Sequence, residues 1–173
     1  TIAYMPVQDL GNAFSVFVAQ NHGAGLPQRI KSGIKQTLAS TAVFCAVISL
    51  LVCIFAEPLM RLFVDGSSMQ TVAVGAEYLR TEGACYIGIG ILFMMYGYYR
   101  AVNKPFMSVV LTVISLGTRV VLANVLSAVP EIGVFGIWIS IPIGWFLSDS
   151  AGAAYFALRE RKRYSAAEKA SGK

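Results

Sequence analysis

The residues with chemistry to offer are few, and most of them interrupt otherwise apolar stretches. Gln8, Asn12, Ser15 and Ala19 recur at helical spacing with Asp9 and Gln20 beside them, while Val7, Leu10, Phe14, Phe17 and Val18 fill most of the remaining surface. A polar stripe of that kind either lines a cavity or hydrogen-bonds to a neighbouring helix. Glu82 stands one turn from Tyr78 and one turn from Tyr86, a carboxylate and phenol grouping suited to holding a proton or a small cation. With Glu77 and Arg80 just before it, Glu82 equally fits a place just beneath a membrane surface. Arg119 lies deeper, among Val113, Ile114, Leu116, Val120, Val121 and Leu122, where an unpaired guanidinium is costly and calls for a carboxylate, carbonyl or water partner. Asp149 and Asp9 are the candidate partners, either as a structural ion pair or as part of a ligand contact, and Asn124 completes the set of candidate cavity residues.

Catalytic patterns are missing from the sequence. It contains no Ser, His and Asp set, no HExxH and no phosphate-binding Gly-Lys-Ser loop. The one histidine, His22, falls in a polar turn and reads as a solvated loop residue. Cys45, Cys53 and Cys85 sit in apolar runs without CxxC spacing, as small packing residues do. The expectation is a protein that is not an enzyme and has no metal or organic cofactor.

The elements that position these residues follow from composition. Of 173 residues 56% are hydrophobic and 13% charged, with a mean hydropathy of +0.64, whereas soluble domains carry about 25% charged residues. The apolar residues come in blocks, and a helix needs about 20 mostly apolar residues to cross a bilayer. The cleanest block, residues 37–56, lies between Lys35 and Glu57; others cover 76–99, 105–129 and 132–158, and a more polar one covers 1–21. The reading is all-α: a polytopic transmembrane bundle of about five spans over residues 1–163, then a disordered tail over 164–173. Thr1 is not preceded by a basic region and the apolar runs continue to the end, unlike a signal peptide. The absence of an initial Met suggests a chain that begins inside a longer protein.

Charge sets the orientation. Arg29, Lys31 and Lys35 follow the first block, Arg61 is balanced by Glu57 and Asp65, Arg100 and Lys104 follow the third, Glu131 stands alone, and Arg159, Arg161, Lys162 and Arg163 close the chain. This alternation is the positive-inside pattern. It places the basic loops and the C-terminus in the cytoplasm and Thr1 outside, and it explains the net charge of +5 without nucleic-acid binding. Glycines within the spans let helices approach closely, and Pro142 removes a hydrogen bond inside the last one.

Three stretches resemble the multidrug and toxin extrusion (MATE) transporters. They are Gly11-Asn12-Ala13 leading into Gln20-Asn21-His22-Gly23-Ala24-Gly25 and Arg29; Tyr99-Arg100-Ala101-Val102-Asn103-Lys104-Pro105, where Ala101 and Asn103 replace the glycines of the family's Arg-Gly-x-Gly turn; and Gly133-Val134-Phe135-Gly136-Ile137-Trp138. The resemblance implies twelve helices in two bundles of six that open alternately to either side. These would be the eighth to the twelfth, so the implied partners are the earlier helices of the same protein, the lipid bilayer and a small amphipathic solute. The implied activity is export of drugs or other amphipathic, often cationic solutes in exchange for protons or sodium ions, in the plasma (inner) membrane. Some members carry an acidic cation ligand about three turns before the Arg-containing turn. Gly88, Ile89 and Gly90 occupy that neighbourhood, leaving Glu82 and Asp9 as substitutes. A lipid-linked saccharide flippase, which needs a more cationic cavity than Arg119 alone supplies, and a non-transporting assembly subunit are the alternatives.

Overall fold

Glycine and proline punctuate the helices. Pro27 and Pro105 occupy first-turn positions, where the missing N–H costs nothing, and open α2 (Pro27–Phe63) and α5 (Pro105–Ser127). Gly25, at φ +66°, turns the chain between α1 (Met5–Gly23) and α2, and Gly133, at φ +52°, precedes α6 (Val134–Tyr155). Asn103, at φ +59°, takes a left-handed conformation between α4 (Tyr86–Ala101) and α5. Asparagine tolerates that region better than other residues with a Cβ, which accounts for its standing where the resembled turn has glycine. A computed structural model describes residues 5–64 and 69–160 of the chain. The proposed tail at 164–173 and the first residues of the proposed first span lie outside the described residues.

Three helices are individually long and apolar enough to cross a membrane: α2, α5 and the helix spanning Val134–Arg159, whose last part is a π-helical turn. The other two expected spans take different forms. α1 has 19 residues, about 28 Å of helix, with polar residues along one side. The expected span over 76–99 is two helices, α3 (Met69–Gly83) and α4, separated at Ala84 and Cys85. Cys85 has φ −107° and ψ 12°, and its N–H reaches back only to Glu82 O at 3.0 Å, a tighter turn than an α-helix makes.

α2 also exceeds its expected bounds. At 37 residues it is about 55 Å long, so Arg29, Lys31 and Lys35 ride on its first turns instead of in a loop. It bends at Phe55 (φ −96°, ψ 16°), three residues before Pro58, which has no N–H to return to Ile54. Arg80 of α3 meets the bend: its Nε donates to Cys53 O at 3.4 Å and its Nη2 to Glu57 Oε1 at 3.3 Å.

Small residues set the helix spacing. α1 lies parallel to α4, where a methyl group added at Gly11 would stand 2.8 Å from Phe93 O, and Gly97 meets Gly11 in turn. α6 runs antiparallel to α5, with Gly144 against Ser115 and Ser148 Oγ donating to Leu111 O at 2.8 Å. α4 is the central helix, touching α1, α2, α5 and α6, and its Tyr86, Leu92, Met94, Tyr98 and Tyr99 are buried. Tyr99 donates its hydroxyl proton to Gly152 O at 2.7 Å across the core. Val43, Val47, Leu50 and Ile54 of α2 and Val120 and Val121 of α5 face outward, as lipid-facing side chains do.

Candidate functional site

The polar stripe of α1 faces away from the bundle core. Val7, Gly11, Phe14 and Val18 are buried while Gln8, Asp9, Asn12 and Gln20 are exposed. Gln8 and Asn12 form one wall of a cleft of about 330 Å³; Phe93, Tyr96 and Arg100 of α4 and Ser108, Val109, Thr112 and Val113 of α5 form the others. Arg100 Nη2 donates to Asn12 Oδ1 at 3.1 Å and Arg100 Nε to Tyr96 O at 3.2 Å, so the guanidinium is fixed across the mouth between α1 and α4. Thr112 Oγ1 lies 3.2 Å from the Tyr96 hydroxyl and 2.9 Å from Ser108 O, and Ser108 Oγ lies 3.4 Å from Tyr96 O. The cleft therefore offers a cation, an amide pair and three hydroxyls beside Phe93 and two valines. That combination can hold a small molecule with a polar or charged group and an apolar body.

Two of the eight expected residues, Gln8 and Asn12, enter this cleft. Asp9 and Gln20 lie on the exposed side of α1 outside its lining. Asn124 is exposed on α5 and donates to Val120 O of its own helix at 2.8 Å. The sequence passes over Tyr96, Ser108 and Thr112 as candidates and offers Arg100 as an orienting charge and as part of the resembled turn, not as a cavity residue. Their signal was present: Tyr96 and Arg100 are four apart, as are Ser108 and Thr112, on the two helices joined by the turn at Asn103.

A second polar group forms on α3, which packs against α6. Tyr78 and Glu82 are joined by a side-chain hydrogen bond, and Arg119 acts electrostatically on both. Tyr78 also meets Trp138 of α6 edge to face, with ring centroids 5.9 Å apart. Tyr86, the other expected phenol, is buried in the core. Glu82 is thus a carboxylate on which Arg119 acts, while Asp149, an expected partner, makes no hydrogen bond to it. Asp149 sits level with Leu111, as the neighbouring Ser148 bond fixes, and Arg119 is eight residues further along α5, about 12 Å of helix. Arg119 Nε and both Asp149 carboxylate oxygens are buried without a hydrogen-bond partner.

Gly88, Ile89 and Gly90 are all buried. A methyl group at Gly90 would stand 2.7 Å from Thr41 Cγ2, and one at Gly88 3.3 Å from Trp145 Cβ. This part of α4 is a packing surface with no room for an acidic side chain at Gly90.

Comparison with known proteins places these features in a family. A family model described as MatE matches residues 1–125. The chain is 29% identical over 163 residues to a FAD transporter of Shewanella oneidensis, covering 93% of this chain and 34% of that protein. It is 25% identical over 145 residues to the probable multidrug resistance protein YoeA of Bacillus subtilis, covering 83% of this chain and 31% of that protein. The chain thus spans about a third of the length of these curated relatives. Among solved structures, an inward-facing multidrug resistance MATE family transporter superposes with a TM-score of 0.84 at 19% identity, covering 97% of this chain and 38% of that one. That likeness is one of fold.

Proposed function

The chain belongs to the MatE family, and from that premise we propose that it works as the helical segment of a secondary antiporter that exports amphipathic small molecules in exchange for protons or sodium ions. The observation that carries this reading is the cleft between α1, α4 and α5. Gln8, Asn12 and Arg100 give it polar anchors, and Phe93, Val109 and Val113 give it an apolar wall. On the opposite side of α4, Phe14, Ile34, Leu38, Met94, Met95 and Tyr98 border an almost wholly apolar pocket of about 290 Å³. An amphipathic solute that leaves water has both kinds of surface to meet. The work is done in the plasma (inner) membrane, with the end bearing Arg29 and Arg100 in the cytoplasm. The test is efflux of a fluorescent dye from vesicles containing the polypeptide that carries this segment, driven by an imposed pH or sodium gradient. Gradient-dependent efflux that falls when Asn12 is replaced supports the reading; efflux indifferent to both gradients overturns the exchange.

A second substrate reading has an observation of its own. The one formal charge lining the cleft is Arg100, which favours an anionic group, and a curated relative carries the name FAD transporter. An aromatic nucleotide would place its phosphates at Arg100 and its ring on Phe93. Competition of flavin nucleotide and cationic dye for efflux separates the two: strong competition by the nucleotide, abolished by Arg100→Gln, selects the anionic reading.

A further inference from the structure

Asp149 stands out from every other carboxylate in the described structure. It is 7% exposed, and neither oxygen has a hydrogen-bond partner. Its surroundings leave no doubt about the solvent it has lost. One turn before it, Trp145 packs on Gly88 of α4; one turn after it, Gly152 packs on Met95 of α4 and Leu111 of α5. Asp149 is thereby clamped between α4 and α5, level with buried Leu111. The titratable and charged groups on the packed helices can be named. Tyr99 of α4 is committed to Gly152 O, Arg100 to Asn12 and to Tyr96 O, and Arg119 of α5 is about two turns away. On α3, Glu82 and Tyr78 are bound to each other. The Asp149 carboxyl acts electrostatically on the Tyr96 hydroxyl of α4.

We infer that Asp149 is a proton-binding site, loaded and unloaded through Tyr96 from the cleft of Gln8, Asn12 and Arg100. A carboxylate that is shut off from water and offered no donor is poorly stabilised as an anion, and a bound proton removes the charge at once. A metal cation would need several further oxygens around it, and neither Asp149 oxygen has a polar partner with which to complete such a set. The route runs through Tyr96, which lines the cleft and on which the Asp149 carboxyl acts electrostatically. Its hydroxyl lines the cleft and contacts Thr112 Oγ1 at 3.2 Å. Once a side-chain rotation brings the phenol within hydrogen-bond reach of Asp149, which has no partner in the resting structure, the phenol's proton passes to a carboxylate oxygen while the phenol oxygen takes up a proton from cleft water, and the reverse sequence releases it. Tyr96 is regenerated in both directions. The use of this proton in exchange rests on the transporter reading; its presence on Asp149 does not.

The experiment is infrared spectroscopy of the protein in lipid, following the protonated-carboxyl C=O stretch near neutral pH and its downshift on transfer to heavy water. The expected result is a carboxyl band that is lost in Asp149→Asn, retained at a shifted frequency in Asp149→Glu, and exchanged several-fold more slowly in Tyr96→Phe. A band absent from the unaltered protein, or unchanged by both Asp149 substitutions, overturns the site. Unaltered exchange in Tyr96→Phe overturns the route. Dye efflux is measured on the same variants: a carboxyl band that behaves as expected without any efflux would retire the antiporter reading and leave the proton site standing.

Discussion

Three polar residues decide local questions out of proportion to their size. Asn103 holds a left-handed turn that joins α4 to α5 and so fixes how Tyr96 and Arg100 face Ser108 and Thr112. Asn103→Gly should keep or slightly raise stability, and Asn103→Ala should lower it by about 1 kcal/mol, the cost of placing a Cβ in that region; thermal unfolding in detergent reads both. Asn12 and Arg100 bridge the cleft mouth by one hydrogen bond. Asn12→Ala and Arg100→Ala should each reduce dye efflux several-fold, and the double variant should be little worse than the more damaging single one, because residues that share one bond lose it only once. Additive losses would mean that the two residues serve the solute separately. At this scale the sequence showed the α1 stripe, since Gln8 and Asn12 break an apolar helix at helical spacing. It could not show that Arg100, which looks like any loop cation, turns back to Asn12 from a position 88 residues further along the chain.

The helices meet closely where side chains are smallest. Gly11 and Gly97 permit the parallel contact of α1 with α4 that makes one wall of the cleft. Gly11→Ala sets a methyl group 2.8 Å from Phe93 O, and overpacking of that kind typically costs about 1–3 kcal/mol. The expected outcome is a lowered unfolding temperature together with reduced efflux, whereas Gly117→Ala, which meets open space, should leave both nearly unchanged. Long apolar runs made most elements legible, because a spanning helix must be about as long as the bilayer is thick. The same signal hid two irregularities. The apolar run continues through Ala84 and Cys85, where the chain turns tightly between α3 and α4. The charges Glu57 and Arg61 suggested a loop, where α2 continues through Pro58 to Phe63 with Arg80 bound at its bend. Hydropathy reports where the chain is apolar; backbone hydrogen bonds decide where it bends, and those depend on partners far away in sequence.

For the whole molecule, helix direction and charge make a joint statement. α1 and α4 run parallel, α5 and α6 antiparallel, and Arg80 of α3 meets Glu57 of α2, so successive crossings reverse direction as they must in a multi-pass bundle. The turn before α2 and the turn at Arg100 to Lys104 then share one side, and the turn at Glu131 lies on the other. The proposed orientation puts this side, with its excess of basic residues, in the cytoplasm. With the native cysteines replaced, a cysteine at Glu131 should react with a membrane-impermeant maleimide in intact cells, and a cysteine at Gln28 should react only after the membrane is opened. Both positions are exposed, so a silent Glu131→Cys cannot be blamed on burial. The opposite labelling pattern would invert the orientation and place the Arg100 cleft mouth on the outside. A proton bound at Asp149 would then be drawn from the external medium on the side where Arg100 stands.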